Sequence, residues 1–260
     1  MPIGIAQGLV DAAAGSLVGF SLGLVGGGGS ILAVPLLIYV VGVADPHLAI
    51  GTSAVAVAAN AMVNLADHAR SGRVKWPCAL TFAAAGVVGA ALGSIAGKAM
   101  DGQELLALFA VLMIVIGALM LRHAGGAGNP AVRLGRGNVV KILTLGLLSG
   151  ALAGFFGIGG GFLIVPGLML ATGMPMINAV ASSLVAVTAF GVTTATSYAI
   201  SGLVDWKIAA IFIAGGVAGG LIGAWLSGRI SRRRGALNIV FASCIFAVAA
   251  YMLIRSPVFS

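Results

Sequence analysis

The chain is a succession of apolar stretches, each about as long as a bilayer is thick, parted by a few polar residues. That pattern leaves few folds open. A spanning helix needs about 20 apolar residues, and hydrocarbon admits only structures that satisfy every backbone N–H and C=O internally. Ile3 to Val25 is such a stretch, interrupted only by Gln7 and Asp11. Others run from Pro46 to Arg70, Val74 to Gly97 and Gln103 to Leu121. Of the 260 residues, 60% are hydrophobic and 8% charged, against about a quarter charged in a soluble domain. The 41 glycines suit membrane helices, which use Gly for close packing. The expected fold class is an all-α polytopic membrane protein with lipid as its surroundings.

The net charge of +8 does not point to nucleic acid. Lys and Arg stand singly or in small groups between apolar runs, as topology signals do, and no aromatic residues interleave with them. Cys78 and Cys244 have no ligand spacing, so neither a disulfide nor a metal site is expected, and no cofactor. The apolar run at the N-terminus has no basic stretch before it and continues to Val25, which reads as a membrane helix rather than a cleaved signal.

The sequence also repeats itself. Gly157-Ile-Gly-Gly-Gly161-Phe-Leu-Ile-Val-Pro166 answers Gly26-Gly-Gly-Gly-Ser30-Ile-Leu-Ala-Val-Pro35 at a spacing of 131. At a spacing of 130, Ala179–Ser183 answers Ala49–Ser53, Ser201–Trp206 answers Ser71–Trp76, and Gly216, Gly219 and Gly223 answer Gly86, Gly89 and Gly93. Residues 1–123 form a first membrane repeat, 124–138 a polar linker and 139–260 a second repeat.

Orientation depends on what Gly26 to Gly29 do. If they only kink a helix, each half has four crossings, the halves are parallel, and Lys plus Arg divide 9 to 5 between the faces. If they turn the chain back, each half has about five helical segments, including one short half-span after the Gly-rich break. The division is then 11 to 3, because Arg229 and Arg232 to Arg234 join the majority. The positive-inside rule favours the second case, two inverted repeats with both termini outside the cytoplasm. Asp45-Pro46, an N-cap residue followed by Pro at the first helical position, starts the helix after the first half-span.

Contiguous glycines weaken a helix by about 1 kcal/mol each relative to Ala, and recurrent breaks at matching positions of two halves point to a transporter binding site. The expected substrate-binding residues are Gly28, Gly29 and Ser30 in the first half and Gly159, Gly160 and Gly161 in the second. Each half-span would offer unpaired N–H groups and a positive dipole end, the two meeting near the midplane around one small oxyanion. Polar side chains on the following helices add Thr52, Ser53, Asn60 and Asn64, with Ser182, Ser183 and Thr194 in the second half; the alternative role for these is interhelical hydrogen bonding. Asp67 or His68 extends the first row, Ser197 and Ser201 the second. Asp11, about a third of the way into the first stretch, is a candidate proton carrier or else a water-facing helix end.

The paired Gly-rich motifs, the Pro after each, Ala49-Ile-Gly-Thr-Ser53 and the Val-x-Trp of each half resemble the sulfite exporter TauE/SafE family, also described as toluene-sulfonate uptake permeases. The resemblance covers nearly the whole chain. It implies a secondary membrane transporter of a small sulfur-containing anion, sulfite or an organosulfonate, and no enzyme. Two features depart from the family. The first motif reads Gly-Gly-Gly-Gly-Ser where an apolar residue usually separates the glycines, and Asn60 has Phe190 as its partner in the second half, which makes the site asymmetric. An anion channel, a membrane subunit delivering sulfur to a partner enzyme, and a membrane enzyme are the other readings. The last lacks paired intramembrane carboxylates, and its three His, at 47, 68 and 123, are scattered.

Overall fold

The computed structural model describes residues 5–122, 129, 132, 134–157, 161–230, 246, 248–250 and 252. The described elements are helical: α1 (Ile5–Val25), a return segment that contains α2 (Ala33–Leu36), α3 (Pro46–Arg70), α4 (Trp76–Lys98), α5 (Gly102–Arg122), α6 (Arg136–Phe156), α7 (Gly161–Thr172), α8 (Met176–Ile200) and α9 (Trp206–Ile230). Six of them carry stretches long and apolar enough to span a bilayer, those in α1, α3, α4, α6, α8 and α9. Shorter apolar helices lie at Gly29–Val41, Gly102–Val115 and Leu163–Thr172. The final segment expected after Arg234 falls almost wholly outside the described residues.

The glycine tract after α1 turns the chain back. Gly26 takes φ +69, a left-handed conformation that costs Gly nothing and L residues about 1–2 kcal/mol. Gly26–Leu32 then winds as a 3₁₀ helix, followed by α2 and a π-helical turn at Leu37–Val41. The tight winding decides the reach of this segment. Seven residues at about 2.0 Å and nine at about 1.5 Å return roughly 27 Å, close to the roughly 30 Å of α1. Accordingly, Gln7 Nε2 near the start of α1 donates to Val41 O at 2.7 Å. In place of a half-span after the glycine break, the return begins at Gly26 itself and runs nearly the height of α1.

Asp45 and Pro46 start α3 as their chemistry dictates, the Asp45 carboxylate accepting from His47 N–H at 2.8 Å. Among the described residues those with positive φ are all glycines and fall into pairs at the sequence repeat: Gly26 with Gly157, Gly42 with Gly173, and Gly72 with Gly202.

Lipid offers no hydrophobic drive between helices, so spans associate through close backbone approach at small residues. Two helix pairs do this along their length. In α1 and α9, Gly15 meets the backbone of Phe212, Gly19 that of Gly216 and Gly23 that of Gly220. Between α4 and α6, Gly89 meets Leu147, Gly93 meets Ala151 and Gly97 meets Phe155 in the same way. Residue numbers rise together in both pairs, so each runs parallel. At the centre α3 and α8 cross in the opposite sense, Gly51 lying against Leu203 and Tyr198 and Gly191 against Ala58. The first helix of each sequence repeat thus packs on the fourth helix of the other.

A methyl group at Gly19 would overlap the Gly216 carbonyl, whereas nothing lies within 4 Å of one at Gly137 in the first turn of α6. Gly19→Ala should therefore destabilise the protein by about 1–3 kcal/mol or more, as overpacking does. Gly137→Ala should raise stability by up to about 1 kcal/mol through helix propensity. Thermal unfolding in detergent measures both; equal effects would refute the glycine-contact account.

Candidate functional site

At each glycine reversal a left-handed glycine engages the opposite repeat. Gly26, at the end of α1, lies so close to α8 that a Cβ would come within 2.7 Å of Val180. Gly157, at the end of α6 with φ +67, sits against Ile50 of α3 in the same manner. Ser53 Oγ donates to Ile50 O at 2.8 Å and lies 3.4 Å from Gly157 O. Its counterpart Ser183 donates to Val180 O at 2.8 Å. Gly29 presses on the backbone of Ser21 and Leu22, so its missing side chain is a packing requirement of the turn. Gly28 lies within the 3₁₀ stretch, Ser30 is fully buried there, and Gly161 opens α7 in a buried position. Gly159 and Gly160 lie outside the described residues.

The reversals do not face each other at mid-depth. Gly157 is one turn from the start of α3 and Gly26 one turn from the start of α8. Because α3 and α8 are antiparallel, the two lie at opposite ends of that pair, roughly 28 Å apart along the helices. The expectation of two opposed dipole ends around one anion is corrected by this geometry. The reason is the 3₁₀ winding, which starts the return near the end of α1 rather than half-way back.

Thr52 and Ser182 form a reciprocal pair of bonds. Asp205 N–H donates to Thr52 Oγ1 at 2.9 Å, and Lys75 N–H donates to Ser182 Oγ at 2.9 Å. Asp205 and Lys75 precede α9 and α4, so each hydroxyl anchors the start of a helix from the other repeat. Each hydroxyl keeps its own proton to donate.

Between the two ends, α3 carries a polar row. Asn60 and Asn64 are buried against Gly216 and Gly220 of α9. Asn64 Nδ2 donates to Asn60 O at 2.9 Å, while both amide atoms of Asn60 and the Asn64 Oδ1 have no partner. A buried polar group left unpaired costs about 1–3 kcal/mol, and three such atoms lie together on this face. In the second repeat Thr194 is buried, its hydroxyl also unpartnered. Ser197 and Ser201 are occupied instead, the former by Ser94 Oγ at 3.0 Å and the latter by Lys98 Nζ at 3.0 Å. Sequence reasoning missed Ser94, Lys98 and Tyr198, whose ring lies 5.7 Å below Lys98 Nζ. Only the contacts across α4 and α8 reveal them.

Asp11 is fully buried, with Gln7 bridging it to the close of the return segment. Gln7 Nε2 donates to Asp11 Oδ1 at 3.1 Å, and Oδ2 has no partner. Among the described residues no three His, Cys, Asp or Glu side chains gather as metal ligands.

Residues 12–252 match the family model for the sulfite exporter TauE/SafE. A probable membrane transporter protein of Xylella fastidiosa (strain 9a5c) is 53% identical over 253 residues, 95% of each chain. The probable membrane transporter protein YunE of Bacillus subtilis (strain 168) is 28% identical, covering 88% of this chain and 89% of its own. No solved structure matches. From residue 12 to residue 252, and with multiple spans, this chain belongs to the sulfite exporter TauE/SafE family and is a multi-pass membrane transporter, not an enzyme.

Proposed function

We propose that this transporter is a secondary carrier of a small sulfur-containing monoanion, sulfite in its hydrogen sulfite form or an organosulfonate, working in the cell membrane as two inverted repeats. The observation that carries the reading is reciprocity. Asp205 N–H on Thr52 and Lys75 N–H on Ser182 are one contact made twice, with α1 and α9 parallel, α4 and α6 parallel, and α3 and α8 antiparallel. A twofold axis in the membrane plane relates such contacts, as in many carriers. The 11 to 3 division of Lys and Arg supports placing the α3–α4 loop in the cytoplasm.

The family name supports the substrate class. The chemistry supports the charge. A small anion is offered backbone N–H groups at the glycine reversals, a serine from the facing helix, and amides and hydroxyls between them. In this reading the Gly28–Ser30 stretch with Ser183 serves as one end of the anion's path, and Gly161 with Ser53 as the other. Asn60, Asn64 and Thr194 lie between, and Thr52 and Ser182 hold the ends together. Among the described residues no Lys or Arg occupies the middle of a span. A helix end offsets about half a charge, so a monoanion is tolerable, whereas a dianion leaves charge uncompensated at a cost of several kcal/mol.

Sidedness tests the architecture. In a chain whose Cys78 and Cys244 are replaced by Ser, Ser71→Cys and Ser201→Cys occupy equivalent exposed turns. They should react with a membrane-impermeant maleimide from opposite faces; reaction from the same face would restore parallel repeats.

Flux into proteoliposomes tests the substrate. Sulfite and a monosulfonate should enter saturably and compete with each other, and sulfate should compete at least tenfold less well, the factor that about 1.4 kcal/mol represents. Equal competition by sulfate would show that a cation reaches the site. Flux without saturation would make the protein a channel.

A further inference from the structure

The central rows of the two repeats differ most at Asn60, whose place in the second repeat is taken by the Phe190 ring. Asn60, Asn64 and His68 follow one another at four-residue intervals on α3, each no more than 1% exposed. Their equivalents on α8 are Phe190, Thr194 and Tyr198, and the Phe190 ring fills the space opposite Gly86 and stacks on Phe82 at 6.4 Å. Along the α3 row, both amide atoms of Asn60, the Asn64 Oδ1 and both ring nitrogens of His68 have no partner. Five unpaired polar atoms in one line, from mid-span to the last turn of α3, are more than a dry interior tolerates.

His68 stands at the end of this line. The Gly23 backbone of α1 lies beside its ring, just before the glycine reversal. The register that sets Asn60 on Gly216 and Asn64 on Gly220 brings Ala224 of α9 to its level. The charged groups close to it are Asp67 on its own helix and Arg73 in the loop that follows. Imidazole is the side chain whose charge changes between about pH 5 and 8, and an ionisable group within a span is a functional site by default. The Gly23 backbone is the group an imidazole N–H would face, which leaves the other nitrogen to take a proton.

We propose that Asn60, Asn64 and His68 line a water-filled path from mid-span to the end of α3, and that His68 binds and releases the proton that travels with the anion. The assignment rests on the carrier reading above. The chemistry is proton exchange alone: neutral imidazole plus H⁺ gives imidazolium, and the same proton leaves on the other side of the cycle. Moving the proton with a monoanion makes the transported pair electrically neutral.

Methanesulfonate is the probe, because its charge does not change with pH. Proteoliposomes holding the full chain are given labelled methanesulfonate under a one-unit pH gradient with the membrane potential clamped. One proton per anion drives about tenfold accumulation, since each 1.4 kcal/mol is a factor of ten. His68→Gln should lose that accumulation while still exchanging labelled for unlabelled anion. Accumulation by His68→Gln, or its loss in Asp11→Asn with His68→Gln unaffected, would overturn the assignment, as would a wild-type chain that exchanges anion without responding to the gradient. If the wild-type chain exchanges neither methanesulfonate nor sulfite, the carrier reading itself fails. A second variant tests the path without relying on the His68 substitution. In the chain with Cys78 and Cys244 replaced by Ser, Asn64→Cys should react with a small charged thiosulfonate added on the α3–α4 loop side. No reaction in well-inserted protein would mean the path is dry.

Discussion

Backbone contact across glycine holds this molecule together. Where Gly15, Gly19 and Gly23 lie on α9, and Gly89, Gly93 and Gly97 on α6, two spans come closer than any side chain permits. In lipid that closeness replaces the hydrophobic drive that a soluble core would use. The rest follows from which helices are joined. Since α1 belongs to one sequence repeat and α9 to the other, and α4 and α6 likewise, neither repeat completes its packing alone. The central α3–α8 pair sits between the two glycine-bonded pairs, and the polar groups with functional promise line its faces.

Much of this was legible in the sequence. Apolar stretches of bilayer length marked the spans in α1, α3 and α4, Asp45-Pro46 marked the start of α3, and the recurrence of Gly26–Pro35 at residues 157–166 marked both reversals. Glycines four residues apart, at 15, 19 and 23 and at 89, 93 and 97, form the packing faces. The depth of the reversals was not legible. A glycine tract can unwind, kink or tighten, and composition does not choose among these. Only the 3₁₀ winding of Gly26–Leu32 and the Gln7–Val41 hydrogen bond show that the chain returns nearly the full height of α1. That displaces the two breaks from a shared midplane site to opposite ends of α3 and α8.

The hydroxyls illustrate the same limit. Thr52 and Ser53 are neighbours in sequence and point to different duties: Thr52 anchors the start of α9, while Ser53 turns toward the reversal at Gly157. Their counterparts Ser182 and Ser183 divide the work likewise, Ser182 at the start of α4 and Ser183 on the Val180 carbonyl beside Gly26. A pair of polar residues on one helix face cannot reveal such a division, since it depends on what the other repeat brings to each position. Asn60 and Asn64 differ again, for they meet the glycines of α9, which have no side chain to answer them.

The central claim is that the anion is held where a glycine reversal meets a serine of the facing repeat. The position of a bound anion tests this most directly. In a structure determined with 2-bromoethanesulfonate, a monoanion whose bromine can be located by anomalous scattering, the account predicts a peak beside Ser53 and the 157–161 reversal, or beside Ser183 and the 26–30 reversal. A peak elsewhere in the bundle, away from both reversals, would contradict it.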